Sequence, residues 1–414
     1  MKKTVKGVLA ILSATILSAT GVSAQTIGNE AFPQLNGGFL DFNIGGQGQK
    51  IRLGGYLQAK GYYRDIKDEN SEQGFDVGHA MVSLEGSFLR NKVGFFLQAD
   101  FAESYPLSDA WISFTPWRQL RITAGQKQTF TNSSQMLMLE QGLAFGERSM
   151  MDRSFSRSGR ELGLFVESRL PVGKTGFDLG VAVTTGDGRN SFGSNSTDTD
   201  KGGLKYGGRV SFYPLGFFAN GNERVFTDFV REKTPKLAIG GAYSYNDGTS
   251  NAVGEGHSDF AMYDKDGKEK LPDYQKISAD ILLKWNGFSF LAEYTNAVGA
   301  GLKGLYTEAN GKTMLQPRQI ADYLAIGNGY NFQAGYITPS AWAFDVAYSK
   351  VKPEWKETEA SVLKDCDNVM VGVSKFFLRN NLKLQLAGSY TDYSKMSGAG
   401  SRSMEVMLNV HLVL

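Results

Sequence analysis

From Lys50 to Arg64 the chain alternates without interruption. Ile51, Leu53, Gly55, Leu57, Ala59 and Gly61 fall on one face, and Lys50, Arg52, Tyr56, Gln58, Lys60 and Tyr62 on the other. A period of two puts successive side chains on opposite faces of a β-strand. The stretch is long for a strand of a water-soluble sheet, whose usual length is about 5–6 residues. One face asks for an apolar surrounding and the other for water.

The same pattern returns down the chain. It is seen in "GHAMVSLEGSF", "VGFFLQADF", "DAWISF", "LRITAGQK", "RELGLFVES", "FDLGVAVTT", "LKYGGRVSFY", "KLAIGGAYSY" and "QKISADILLKW". It continues in "FSFLAEYT", "YNFQAGYI", "WAFDVAYSK", "NVMVGVSKFFL", "NLKLQLAGSYT" and "RSMEVMLNVHLVL". With Lys50–Arg64 these make sixteen strands, an even number, as a closed antiparallel barrel requires of a chain whose ends share one rim. Short connections at Arg90–Asn91, Thr115–Gln119, Pro171–Thr175, Asn286–Gly287, Thr338–Ala341 and Arg379–Asn381 alternate with longer polar ones. Ala102–Pro106 and Met396–Ser401 are brief on the long side, and Pro214–Pro235 is oddly long on the short side. The expected fold is all-β: a transmembrane antiparallel β-barrel of sixteen strands. Two-faced strands cancel in any window average, which agrees with 12% aromatic residues, 50 glycines and a mean hydropathy of −0.27. A sandwich would be overfilled by so many strands, and a propeller or β-helix needs a fixed repeat that the chain lacks. Trp117, Trp285 and Trp342 beside short turns fit an interfacial aromatic girdle.

Residues 1–24 read as a secretory signal peptide: Lys2, Lys3 and Lys6, then the apolar "GVLAILSATILSATG", then "VSA" before Gln25. Residues 25–49 read as a Gly- and Asn-rich lead-in with a short strand at Phe39–Ile44, and residues 50–414 as the barrel. The 44 basic and 42 acidic residues nearly balance, which gives no basic tail for nucleic acid. Cys366 is the only cysteine, so no disulfide forms within the chain.

One connection stands apart. Gln128–Gly159, between "LRITAGQK" and "RELGLFVES", is rich in Met, Phe and Arg, and is expected to fold into the lumen and narrow it. Arg121 and Lys127 on the preceding strand, with Arg148, Arg153, Arg157 and Arg160 around the insertion, form the candidate constriction. Guanidinium groups match oxyanions with a fork of donors. The bland alternative pairs these arginines with Glu140, Glu147, Asp152 and Glu161 and merely pins the loop. Arg153 and Arg157 are the preferred pore-facing pair. Inward strand faces add Arg52, Lys60 and Arg209.

The chain resembles the phosphate-selective porin O/P family. "GHAMVSLEGSF" with "VGFFLQADFAE" is similar to that family's early hairpin, and "LRITAGQKQTF" to its Gly-Gln-x-Lys-x-Pro-Phe segment, with Thr129 in place of the proline. "GERSMMDRSFSRSGRELGLFVE" and "GVAVTTGDGRN" resemble the segments that follow. The resemblance implies a homotrimeric sixteen-stranded porin in the bacterial outer membrane. Its third outer loop would fold inward, and its basic lumen would favour anions.

Catalysis is not expected. His79, His257 and His411 are scattered, and no nucleophile–base pair or zinc ligand set accompanies them. "DKDGK" at Asp264 lacks the third acid and distal Glu of a calcium loop and reads as a polar turn, and "GDG" at Gly186 as another. No cofactor and no metal are therefore called for. The expected function is passive diffusion of small hydrophilic solutes through the outer membrane, mildly favouring anions, with phosphate among them. The alternative is a barrel that serves as surface adhesin or structural scaffold.

Overall fold

The computed structural model describes residues 40–44, 49–189, 202–255, 259–378, 380–393 and 400–414. The signal-peptide reading of 1–24, most of the lead-in, His257, and parts of the Gly186–Gly203 and Met396–Ser401 connections lie outside the described residues.

All sixteen expected strands form. The first half comprises β2 (Gln49–Ile66), β3 (Glu72–Phe88), β4 (Val93–Asp100), β5 (Leu107–Trp117), β6 (Leu120–Gln128), β7 (Arg160–Val172), β8 (Thr175–Thr184) and β9 (Lys205–Tyr213). The second half comprises β10 (Lys236–Asn246), β11 (Asp273–Trp285), β12 (Phe288–Ala300) and β13 (Gly327–Ile337). It ends with β14 (Trp342–Pro353), β15 (Cys366–Phe377), β16 (Leu382–Asp392) and β17 (Arg402–Val413). Each pairs antiparallel with its neighbours in sequence, and β17 closes on β2 from Ser403↔Ile66 to Val413↔Tyr56. A short β1 (Leu40–Ile44) lies against the start of β2, with Leu40 opposite Leu53.

Closure explains how so much backbone can sit in hydrocarbon, because every strand then has a partner on both sides. The tight turns follow local chemistry. At Asn286–Gly287 both residues have positive φ (48° and 92°), the conformation of the two-residue hairpin turn whose twist suits flanking strands.

Burial is inverted relative to a water-soluble sheet. On β17, Met404, Val406, Leu408 and Val410 are exposed (Leu408 by 50%), while Asn409 and His411 are buried. Leu53, Leu57, Ile112, Ile281, Phe344, Val371 and Leu386 continue the exposed apolar surface around the barrel. Full burial of such a side chain yields about 1.5–3 kcal/mol, which the hydrocarbon of a membrane supplies to an outward-facing apolar wall. Trp117, Trp285 and Trp342 are all exposed at strand ends on the turn rim. The buried face is polar: Gln58, Ser83, Gln98, Thr123, Ser278, Asn331, Gln333 and Gln385 all point inward.

The interior is occupied by chain from both rims. The 128–159 insertion enters from the rim of long loops. Pro214–Pro235, read from sequence as an oddly long short-side connection, also turns inward, and its Val225 is completely buried. Over one side of the mouth, the 247–272, 301–326 and 354–365 connections share an apolar core that includes Met262, Leu305, Leu324 and Leu363, with Met151 and Phe155 of the insertion beneath.

Candidate functional site

The insertion leaves β6 at Gln128, makes a helical turn at Ser134–Leu137, a 3-10 turn at Glu140–Gly142 and a short helix at Met150–Phe155, then rejoins the wall at Arg160. The last helix is started by Ser149, whose Oγ accepts from the Asp152 N–H (3.1 Å) and donates to the Asp152 carboxylate (2.7 Å).

Inward side chains of the wall hold this path across the bore. Arg209 on β9 donates to the Asn132 carbonyl (3.1 Å), and Glu293 on β12 accepts from the Gln135 N–H (2.7 Å). Lys276 on β11 donates to the Phe155 carbonyl and Ser156 Oγ, both at 2.9 Å. On the far side, Lys383 and Gln385 of β16 both donate to the Ala144 carbonyl at 2.7 Å. The loop therefore bridges the lumen from β9 to β16. Among these anchors Glu293 alone is an acceptor; the others aim donors at backbone carbonyls that would otherwise be buried without partners.

Beside the insertion lies a cavity of about 540 Å3, bounded by the inward faces of β4 to β11. Its charged lining is Arg121, Lys127, Arg160, Arg169, Arg209 and Arg224 with Asp109, Glu140, Glu167, Asp178, Glu223 and Asp280. Basic and acidic groups are equal in number but unevenly placed. Arg160 sits between two carboxylates, Asp109 (2.8 Å) and Glu140 (3.1 Å). Arg169 likewise bridges Asp178 (2.6 Å) and Glu223 (2.8 Å) while lying over the Phe217 ring at 4.6 Å. Glu167 shows the reverse: Arg121 (3.1 Å) and Lys127 (2.8 Å) both reach it, and Arg224 is within electrostatic range. That corner gathers Arg121, Lys127 and Arg224 near Glu167, with Glu223 and Asp109 also within electrostatic range of Arg224.

Arg209 meets Asp280 with two short contacts, 2.6 and 2.7 Å, across the intervening strand β10. Gly240 of β10 faces Ser211 on one side and Asp280 on the other, and a Cβ there would come 2.1 Å from the Arg209 guanidinium. A missing side chain opens the gap through which this pair forms.

The six constriction residues named from sequence separate into two groups. Arg121, Lys127 and Arg160 line the cavity. Arg148, Arg153 and Arg157 are not in its lining. Arg148 donates to the carbonyls of Gln135 and Met138 and to Glu140, and so pins the insertion to itself. Arg153, about half exposed, pairs with Glu147 (3.2 Å), which also accepts from Lys60 of β2 (3.0 Å). Arg157 is exposed, and its backbone N–H donates to Glu255. Arg52 faces inward and pairs with Glu85 at 2.9 Å. Burial would raise the Glu140 carboxyl, but the guanidinium groups of Arg160 and Arg148 overcome it and hold the group down to about 2.

Arg169, Asp178, Asp109, Glu167, Glu223, Arg224 and Asp280 were missed by the sequence reading. For the first two a signal was available: Arg169 and Asp178 face each other across the tight β7–β8 hairpin. Glu223 and Arg224 lie among Phe217, Phe218, Val225, Phe226 and Phe229, apolar residues that signal burial of the segment but not which charges it carries to the cavity.

No family model matches the chain, and no curated protein matches it by sequence. The likeness to the phosphate-selective porin O/P family therefore rests on the quoted motifs alone. Solved structures do match. The outer membrane channel DcaP of Acinetobacter baumannii is 12% identical over 90% of this chain and 100% of that one, with a TM-score of 0.53. Salmonella typhi OmpF, in complex with daunomycin, is 11% identical over 91% and 100%, with a TM-score of 0.51. Pseudomonas putida OprB is 10% identical over 88% and 94%, also at 0.51. At such identities the likeness concerns architecture: the chain has the fold of outer-membrane channels, a closed barrel of sixteen antiparallel strands.

Proposed function

We propose that the protein is a passive pore of the bacterial outer membrane for small hydrophilic solutes, exported with the help of residues 1–24. The observation that carries the reading is the 540 Å3 cavity between the folded-in segment and the wall, lined by charge rather than by apolar side chains. Fixed charges in a narrow, low-dielectric passage act strongly on passing ions. The equal count of basic and acidic groups argues for weak selectivity. The corner where Arg121, Lys127 and Arg224 surround Glu167 supports a mild preference for anions, phosphate among them. Assembly as a homotrimer belongs to this reading through the family resemblance.

The purified protein in a planar bilayer is expected to give stable conductance steps, and a salt-gradient reversal potential displaced toward the anion side. A second reading, a surface adhesin or scaffold, is favoured by the apolar core that joins the outer loops over the mouth. A well-folded barrel that opens no steps would decide for it.

A further inference from the structure

We infer that the turn-rim segment 214–235 is the second half of the constriction, and that its Glu223 and Arg224 help to determine which solutes pass. This rests on the pore reading and extends it, because an insertion from the loop rim accounts for only one side of the throat.

The segment starts and ends on the rim of short turns. Asp228 accepts from the Gly287 N–H (2.8 Å) and the Glu232 carbonyl accepts from the Asn286 N–H (2.9 Å), so its base is fixed to the β11–β12 turn. From there it climbs into the bore. Lys284, on the inward face of β11 and wholly buried, donates to the carbonyls of Asn222 (2.6 Å) and Val225 (2.7 Å). A buried ammonium aimed at carbonyls fixes an irregular backbone that has no ladder of its own.

At the top the segment meets the loop-rim insertion, and the two are clasped. The Leu139 N–H donates to the Arg224 carbonyl (3.1 Å), and the Phe226 N–H to the Gly142 carbonyl (2.8 Å). The approach is close enough to demand glycine at 142, since a Cβ there would lie 2.6 Å from the Val225 side chain. Met138, Leu143 and Phe145 from one insertion share an apolar cluster with Phe217, Phe218 and Phe226 from the other. The two strands of chain thus form one diaphragm. It presents Glu223 to Arg169, and Arg224 to the corner of Arg121 and Glu167. Both side chains line the cavity.

The test uses the full-length protein in planar bilayers and in liposomes swollen by sugars of graded size. Replacing 217–232 with a short Gly-Ser link is expected to raise single-channel conductance at least about twofold and to admit larger sugars. Because that variant can fail to fold, Arg224→Glu and Glu223→Gln serve independently. Arg224→Glu is expected to raise the cation-to-anion permeability ratio at least about twofold, and Glu223→Gln to lower it. Folded point variants with the wild-type ratio would overturn the inference while the wild-type pore stands, as would a folded link variant with wild-type conductance and size limit. A wild-type protein that opens no steps would remove the pore reading and this inference together.

Discussion

The corner formed by Arg121, Lys127, Arg224 and Glu167 permits a test in which two variants act in opposite directions. Arg121→Gln with Lys127→Gln removes two cations that bond Glu167 at 3.1 and 2.8 Å. An ion passing at ~7 Å feels each unit charge by about 0.6 kcal/mol in a water-like medium. Screening at 0.15 M salt, where the Debye length is about 8 Å, leaves roughly 0.25 kcal/mol. Two charges then give about 0.5 kcal/mol, or roughly twofold in the partition of one monovalent ion. Anion and cation respond oppositely, so the ratio of their permeabilities falls about fivefold. Glu167→Gln removes the carboxylate instead and is expected to raise the anion ratio by about twofold. Reversal potentials across a potassium chloride gradient read both, with heat-modifiable mobility on gels as the check of folding. The same sign of shift in the two variants, or no shift in either, would refute the placement of this corner beside the ion path.

Three further outcomes are expected. Lys284→Met leaves the carbonyls of Asn222 and Val225 without their donor, at a cost of about 2–4 kcal/mol, and trypsin should then cut at Arg224 or Arg231 in reconstituted vesicles where the parent resists. Gly142→Ala forces a methyl group against Val225, so about 1–3 kcal/mol of clasp stability is lost and open-channel noise rises; a quiet trace would contradict the contact. Glu140 has a folded carboxyl value below its ordinary one, so its docking contribution is complete above about 4.5 and disappears as pH falls from there toward about 2. Steady currents at neutral pH should therefore give way to flicker on acidification through that window, and the current should stay steady throughout if Glu140 does not hold the insertion.

The wall was legible in the sequence because a period of two is a local property. Lys50–Arg64 and Arg402–Val413 declare their two faces without reference to any partner. The inward fold of 128–159 was legible for a related reason, since Met136, Met138 and Phe145 are poorly suited to a loop in water and are buried. Pairing across the lumen was not legible. Arg209 reaches Asp280 only because the registers of β9, β10 and β11 bring Gly240 between them, and register is a tertiary fact. Arg153 and Arg157, the preferred pore-facing pair, lie outside the cavity lining, while the turns of the insertion direct Arg148 back onto its own carbonyls and leave Arg160 to the cavity. The 214–235 segment carries Phe217, Phe218, Val225, Phe226 and Phe229 beside its Pro, Gly, Asn and charged residues, so its length and apolar content mark it as unusual without showing where it docks. Its inward path depends on Lys284, which lies on β11 about 60 residues away in sequence.

The seam between β17 and β2 joins the stretches most distant along the chain, with Val413 beside Tyr56. Until it forms, a nascent cylinder has two rows of amides with nothing to bond, and in hydrocarbon each such group costs several kcal/mol. Insertion and zipping must therefore proceed together, and the distance in sequence makes that step slow. A proline placed in β17 should accordingly appear as a defect of biogenesis, with the chain accumulating unassembled, rather than as an altered current.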